Sequence, residues 1–241
     1  MRTIGFFCTV FCAWCGLALA LQNPDMQQKV AAAKEAAARN KQALHQYSWT
    51  STTTISVKGE VKNTKIESNQ YGPDGKVQKT ELGEPPEQEQ QQPSRGRRRR
   101  GLVKKAVVAH KSGEMQEEMQ RAAALARSYV PPDPEKIQAV MAAGGVSISP
   151  SPDSQAVIRL QNYEKEGDVL TLTLDTASSS LRELSIETWL EEPDERVTLN
   201  VEFQSLSDGT SYAATTVLAI PDDEIEVRIE NSNYQKLSQR E

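Results

Sequence analysis

Cysteine is scarce in this chain of 241 residues and absent from most of it. The three cysteines, Cys8, Cys12 and Cys15, all lie near the amino terminus, inside a segment that we expect to be removed. The mature protein would then contain no thiol. A disulfide framework, a zinc–thiolate site and a cysteine nucleophile are therefore excluded from the predicted functions.

The first twenty residues have the features of a secretory signal peptide. Arg2 precedes an apolar stretch over residues 4–19, and Ala20 closes a small-x-small triplet. We predict cleavage after Ala20 and a secreted or periplasmic protein. A membrane anchor is one alternative, but the stretch is shorter than the roughly twenty residues that span a bilayer. A lipoprotein anchor on Cys15 is another, which the bulky Trp14 before it disfavours.

Catalytic and metal-binding motifs are also missing. The chain has two histidines, His45 and His110; Glu114 lies at i, i+4 from His110, a pair that chance supplies easily, and no third ligand is indicated. There is no Gly-x-Ser-x-Gly nucleophile elbow and no glycine-rich phosphate loop. The sequence therefore predicts no enzyme and no catalytic, metal or cofactor residues; a hydrolase with an unrecognised site is the alternative. Carboxylates beside prolines in predicted turns are interpreted as solvated loop charges: Glu191, Glu192, Asp194, Glu195, Asp222, Asp223 and Glu224.

Aromatic residues make up only 5% of the chain. Trp49, Trp189, Tyr71 and Tyr212 fall in predicted strands, where aromatic side chains most often serve core or cross-strand packing. Lining of a ligand cavity is the alternative role for these four residues.

The mature chain opens with a predicted helix. Asn23 is suited to the N-cap, Pro24 follows at the first helical position, and an alanine-rich body runs to about His45. Helical spacing places a narrow stripe of small apolar residues on one face, which suits close packing on a sheet: Met26, Val30, Ala33 and Ala37.

Three strands are predicted after this helix. Residues 47–57 are rich in threonine and β-branched residues, which favour an extended backbone. Residues 60–71 form the second strand and residues 77–82 the third. The turn Pro73-Asp74-Gly75-Lys76 joins these two, since Asp-Gly supplies the positive φ of a tight hairpin.

Residues 83–101 contain almost no apolar side chains, and we predict a disordered polar linker there. A helical insert is predicted over residues 102–145. Its apolar face consists of Met115, Met119, Ala122, Ala126 and Tyr129.

The carboxy-terminal third has strand-like runs separated by turn signals, as in a meander. In the run from Val197 to Leu206, apolar and polar residues alternate, so that one face of the sheet is buried and the other wet. The predicted fold is α+β, with a curved antiparallel sheet of about nine strands that forms a half-barrel on helices. The runs centre on residues 157–161, 169–174, 181–190, 197–206, 212–220 and 225–229.

This order of elements resembles the LolA/LolB-like superfamily of bacterial envelope proteins. The stretches Tyr71-Gly72-Pro73-Asp74-Gly75-Lys76-Val77-Gln78-Lys79-Thr80 and Asp208-Gly209-Thr210-Ser211-Tyr212 are similar to stretches in uncharacterised secreted bacterial proteins. The resemblance implies one half-barrel domain over residues 21–241, whose helical lid encloses a cavity for acyl chains. No functional side chain of the carriers matches a position here, and the arginine-rich segment departs from their pattern.

That arginine-rich segment is the most conspicuous chemical feature of the chain. One interpretation is a solvated charge block that nearby glutamates balance. The other is contact with an anionic surface such as lipid headgroups. Nucleic acid is not expected, because the net charge is −5 and no aromatic residues interleave with the basic ones. The basic residues are Arg95, Arg97, Arg98, Arg99, Arg100, Lys104 and Lys105.

The functional hypothesis is an exported, non-enzymatic protein that binds or carries a lipid or another apolar ligand. The alternative is a structural or protein-interaction module of the cell envelope with a fully packed core. Across both hypotheses, the expected partners of the protein are an apolar ligand, an envelope protein or a membrane surface.

Overall fold

The structure is a computed structural model that describes residues 35–83, 101–151, 154–178 and 180–237, with the side chains of residues 101–112 and 114 left out. The predicted signal peptide with its cleavage point after Ala20 lies outside the described residues, as do residues 84–100 of the predicted linker. The chain divides into two compact units, Met1–Lys41 and Gln42–Glu241.

The described part of the first unit, residues 35–41, is helical, and this helix (α1) continues to residue 44. An exposed ion pair joins Arg39 Nη1 to Glu35 Oε2 at 3.5 Å. The helix ends close to His45, as predicted. Ala37 is exposed, so its predicted place on a buried stripe is wrong. Alanine has little apolar area and a high helix propensity, which lets it occupy either face.

The described residues of the second unit contain ten strands and two longer helices. A short 3₁₀ turn, Pro221–Asp223, precedes the last strand. The elements are β1 (Tyr47–Val57), β2 (Glu60–Tyr71), β3 (Val77–Glu81), α2 (Gly101–Tyr129), α3 (Pro134–Ala142), β4 (Val146–Ser151), β5 (Gln155–Gln161), β6 (Val169–Asp175), β7 (Ser180–Trp189), β8 (Arg196–Ser205), β9 (Ser211–Ile220) and β10 (Ile225–Lys236).

All ten strands form one antiparallel sheet in the order β3-β2-β1-β10-β9-β8-β7-β6-β5-β4. The sheet is curved and not closed, so the predicted α+β class with a curved antiparallel sheet is confirmed. The two meanders meet where β1 pairs with β10 over a register from Tyr47↔Lys236 to Val57↔Ile225. The first and last of these strands in the sequence therefore lie side by side, third and fourth from the β3 edge of the sheet.

The tenth strand, β4, was not predicted. Its sequence, Val146-Ser-Ile-Ser-Pro-Ser, alternates correctly but contains Pro150, which argues against a strand inside a sheet. β4 lies at the edge of the sheet and pairs only with β5 among the described strands. At an edge a proline nitrogen can face away from the partner strand, so the missing N–H removes no hydrogen bond of the sheet.

The core lies between one face of the sheet and helices α2 and α3. Ala122, Ala126 and Tyr129 on α2 and Val140 on α3 are buried against strand residues, and Met115 and Met119 pack on the same cluster. The predicted apolar face of this helical segment is therefore correct. The strand residues of the core are Leu160, Leu170, Leu184, Ile186, Val197, Leu199, Val201, Leu218, Ile220 and Ile225.

A buried carboxylate fixes the end of α2 on this core. Asp168 is fully buried and accepts a hydrogen bond from the Tyr129 hydroxyl at 2.6 Å. It also accepts backbone N–H groups at 2.6, 2.9 and 3.0 Å from Tyr163, Glu164 and Lys165. Burial and the contact with Asp168 raise the pKa of Tyr129. Because all these donors belong to the chain itself, Asp168 has a structural role.

Candidate ligand-binding site

Six aromatic side chains meet at the end of the sheet where β1 begins, and we call them the ring cluster: His45, Tyr47, Trp49, Tyr71, Tyr212 and Tyr234. Trp49 stacks on Tyr234 with centroids 5.7 Å apart, and His45 stacks on Tyr71 at 4.2 Å. Trp49 and Tyr71 are 5.4 Å apart, which joins the two stacks. Tyr47 is buried, whereas the other five side chains are only half-buried.

The position of Tyr234 depends on an irregularity in β10. Between Thr50↔Ser232 and Ser48↔Gln235 the register shifts by one residue, and Asn233 has a φ of 55°. Such a bulge lets Tyr234 lie opposite Trp49 instead of facing the other side of the sheet. The pairing of β9 with β10 extends only as far as Thr215↔Glu230. Beyond that point the ring of Tyr212 contacts that of Tyr234 at 4.3 Å.

One corner of the ring cluster is tied to the β8–β9 hairpin. The Tyr47 hydroxyl donates to Asp208 Oδ2 at 2.5 Å, and Lys236 Nζ lies 3.7 Å from the same oxygen. The bond from Tyr47 and the bonds from Thr210 lower the pKa of Asp208 to about 2. The hydrogen bond to Asp208, together with burial, raises the pKa of Tyr47. At neutral pH this corner therefore holds an ionised aspartate and a neutral tyrosine.

Next to the rings, polar side chains cross four strands; we call Ser51, Asn69 and Asn231 the polar strip. Asn69 Nδ2 donates to Ser51 Oγ at 2.8 Å, and Ser51 Oγ donates to Asn231 Oδ1 at 2.5 Å. Asn231 Nδ2 in turn donates to the carbonyl oxygen of Ala213 at 2.8 Å. Ser51 and Asn69 are buried. The strip links β2, β1, β10 and β9 below the ring cluster.

A charged group borders the polar strip toward the sheet edge. The carboxylate of Glu67 lies 3.0 Å from Lys65 Nζ and 3.2 Å from Lys79 Nζ. Burial raises the pKa of Glu67, but the two ion pairs outweigh that effect, and the pKa lies below its usual value. Glu67 therefore stays ionised and keeps both ammonium groups paired.

No family model, curated protein or solved structure matches this chain. The resemblance to LolA/LolB-like proteins stays a prediction, and the chemistry of the ring cluster has to be inferred from its own residues. Those residues combine apolar faces, hydroxyl groups and paired charges, which suits binding without covalent chemistry.

The sequence singled out Trp49, Tyr71 and Tyr212, and the structure brings them together with His45, Tyr47 and Tyr234. The last three were missed as site residues. Tyr47 and Trp49 at i, i+2 in a predicted strand were a usable signal, since alternate residues share a face. Tyr234 gave none, because strict alternation without the bulge would have placed it differently. Trp189 lies elsewhere, with Lys165 Nζ 4.7 Å from its ring.

The predicted anionic-surface residues are not part of the ring cluster. Arg95, Arg97, Arg98, Arg99 and Arg100 lie outside the described residues. Lys104 and Lys105 belong to the first two turns of α2, within the part whose side chains are not described. Contact of this basic run with an anionic surface stays a prediction.

The carboxylates of the predicted turns come together beside α2. Arg196 bridges to Asp222 at 2.9 Å, and Arg121 on α2 bridges to Glu191 at 2.7 Å. A groove of about 580 Å³ runs along α2 and is lined by Glu117, Gln120, Arg121 and Ala124. These charges make the groove unsuitable for an acyl chain, which has no group to pair with them.

Two further findings concern the described residues alone. They contain no group of three His, Cys, Asp or Glu side chains arranged to hold a metal ion. Their helices do not include one both long and apolar enough to cross a bilayer.

Proposed function

We propose that this protein is an exported, non-enzymatic binding protein whose ring cluster holds the acyl chain of a lipid. The observation that supports the proposal most is the half-burial of Trp49, Tyr71, Tyr212 and Tyr234. Tryptophan and tyrosine side chains bury a large apolar area in cores and at interfaces, with a polar tip that stays wet. Here they leave apolar area in contact with water, which a bound acyl chain would cover.

The helix-covered half of the sheet is a less suitable place for a ligand. Tyr129, Leu160 and Leu170 are fully buried there and belong to a single core cluster. The ring cluster lies toward the opposite end of β1. Trp49 and Val57, which packs on the core, are eight residues apart, or about 26 Å along an extended strand. Apolar ligand and folding core would therefore occupy different parts of the sheet.

The free energy of acyl-chain burial and the width of the sheet are both consistent with a bound lipid. Each methylene removed from water contributes about 0.8 kcal/mol, so about a dozen buried methylenes contribute roughly 10 kcal/mol. This exceeds the lower part of the range of about 4–15 kcal/mol that association costs in lost freedom, even without a charged contact. Five strands, β3 to β9 across the sheet, span about 19 Å at the usual strand spacing, which gives such a chain room to lie across the rings.

The test is lipid extraction and native mass spectrometry of protein purified from its own envelope fraction. We expect bound lipid near one per chain in the wild type. Tyr234→Ser should weaken binding by about tenfold, because it removes a ring from the contact surface. Phe203→Ser is the matched control: it removes another half-buried ring, but one that packs against the core.

Two results would contradict the proposal. One is a protein that carries no lipid and binds no added acyl compound, which would favour the protein-interaction alternative. The other is an equal loss of lipid in Tyr234→Ser and Phe203→Ser, which would show that general destabilisation, not the ring cluster, controls binding.

A further inference from the structure

The polar strip leaves one buried acceptor unused. Asn69 is 2% exposed, and its Nδ2 donates to Ser51 Oγ at 2.8 Å and to the carbonyl oxygen of Glu67 at 3.2 Å. Its Oδ1 is buried and has no hydrogen-bond partner within the described residues. A buried amide oxygen without a donor costs free energy, and a ligand group that donates a hydrogen bond would remove that cost.

This acceptor lies beside the ring cluster. Asn69 is directly opposite Trp49 in the pairing of β1 with β2, and Tyr71 follows two residues later on the same face. Both hydrogen bonds that the Asn69 amide donates, to Ser51 and Glu67, come from Nδ2. Oδ1 is the other atom at the end of the planar amide and takes part in neither bond. His45 Nε2, which is also buried without a partner, belongs to the imidazole stacked on Tyr71.

The charges near this point are already paired within the chain. Lys65 and Lys79 both contact Glu67, and Lys236 contacts Asp208. An anionic headgroup would have to share these ammonium groups with the carboxylates already paired to them. A neutral group that donates a hydrogen bond meets no such competition.

We propose that the lipid bound by the ring cluster is a neutral amphiphile whose hydroxyl group donates to Asn69 Oδ1. This inference rests on the proposed function and specifies its ligand class. The acyl chain covers the rings, and the hydroxyl reaches the buried amide beside Trp49 and Tyr71. Shielding from water strengthens a hydrogen bond at that depth.

Three probes with the same acyl chain test the inference on the full mature protein by native mass spectrometry. 1-Monooleoylglycerol is neutral and has hydroxyl donors, methyl oleate is neutral without a donor, and oleate is anionic. We expect monooleoylglycerol to bind about fivefold more tightly than methyl oleate, the contribution of one neutral hydrogen bond, and more tightly than oleate.

Asn69→Ala should abolish the preference for monooleoylglycerol and leave the affinity for methyl oleate within about twofold. Asn231→Ala is the matched control, because it disrupts the same polar strip at a residue whose amide has partners at both ends. It should keep the preference. Urea unfolding of both variants checks that they are folded and comparably destabilised.

The outcomes distinguish failure of this inference from failure of the proposed function on which it rests. If none of the three probes binds, the proposed function and this inference both fail. If all three bind with equal affinity, if oleate binds best, or if Asn69→Ala keeps the preference for monooleoylglycerol, only the inference about the neutral hydroxyl is overturned.

Discussion

Buried polar side chains in this protein differ in whether their partners belong to the chain. The carboxylate of Asp168 is surrounded by one hydroxyl and three backbone N–H donors, all of them close to ideal length. The amide oxygen of Asn69 has no such donor. Burial alone therefore does not distinguish a structural residue from a candidate ligand contact. The distinction is whether the chain itself supplies the hydrogen-bond partners of the buried group.

Glu118 on α2 is a carboxyl group whose surroundings disfavour its ionisation. Burial, a hydrogen bond with Asp223 and the charge of that carboxylate raise the pKa of Glu118 from its ordinary 4.5 to about 6, although Arg121 opposes the rise. The folded protein therefore binds a proton more tightly here than the unfolded chain does. The stability from this proton is complete below pH 4.5 and is lost as the pH rises through about 6.

We therefore predict that Glu118→Gln is more stable than the wild type at about pH 7.5, by on the order of 1 kcal/mol after allowance for solvent screening. The gain should vanish near pH 4.5, where the wild-type carboxyl is protonated as well. Urea unfolding at both pH values measures it. Glu117→Gln, at an exposed position on the same helix, should show no gain at either pH. A gain that does not depend on pH would contradict this assignment.

At the scale of the element, strand β10 shows how one residue shapes the candidate site. Asn233 has a φ of 55°, and the register of β1 against β10 shifts at this point. Asparagine tolerates the left-handed region better than most residues, whereas a β-branched side chain is strained there. The contact between Tyr234 and Trp49 follows from that backbone conformation.

Asn233→Val should consequently destabilise the protein by about 1–2 kcal/mol and weaken the stacking of Tyr234 on Trp49. Urea unfolding measures the first effect, and the near-ultraviolet circular dichroism of the aromatic side chains reports the second. Ser232→Val adds the same side chain at the preceding position, which lacks a positive φ, and should have little effect. Similar loss in both variants would mean that the bulge is not the source of the strain. Asn233→Gly should retain wild-type stability, since glycine adopts this conformation freely.

The elements themselves were largely predictable, and the site was not. β-Branched composition, turn signals and the alternation of apolar and polar residues predicted nine of the ten strands, and Met115 to Tyr129 predicted the buried face of α2. These patterns are local. The ring cluster depends on the pairing of Tyr47 with Lys236 across the whole chain and on a one-residue shift in β10. Neither leaves a periodic signal, because register and bulges are decided by tertiary contacts.

At the scale of the whole sheet, joining β1 to β10 determines which strands become edges. The short strands β3 and β4 end the sheet, while the long strands lie inside it. All five residues of β3 are exposed, and they include Lys79 and Glu81, which disfavour pairing with another chain. β4 has less charge: its Ile148 is 63% exposed, and Pro150 is the feature that interrupts its hydrogen-bonding edge.

Pro150→Val should therefore make the protein self-associate. The substitution restores an N–H group on the outward side of β4 and extends the β-branched, uncharged character of that strand, both of which favour edge-to-edge pairing. Light scattering coupled to gel filtration should give a higher apparent mass than for the wild type at equal concentration. Ser149→Val adds similar apolar area to the same exposed strand but keeps Pro150, so it should elute like the wild type. If the two variants associated equally, apolar area and not the missing N–H would control the edge, and β4 would need no proline to remain unpaired.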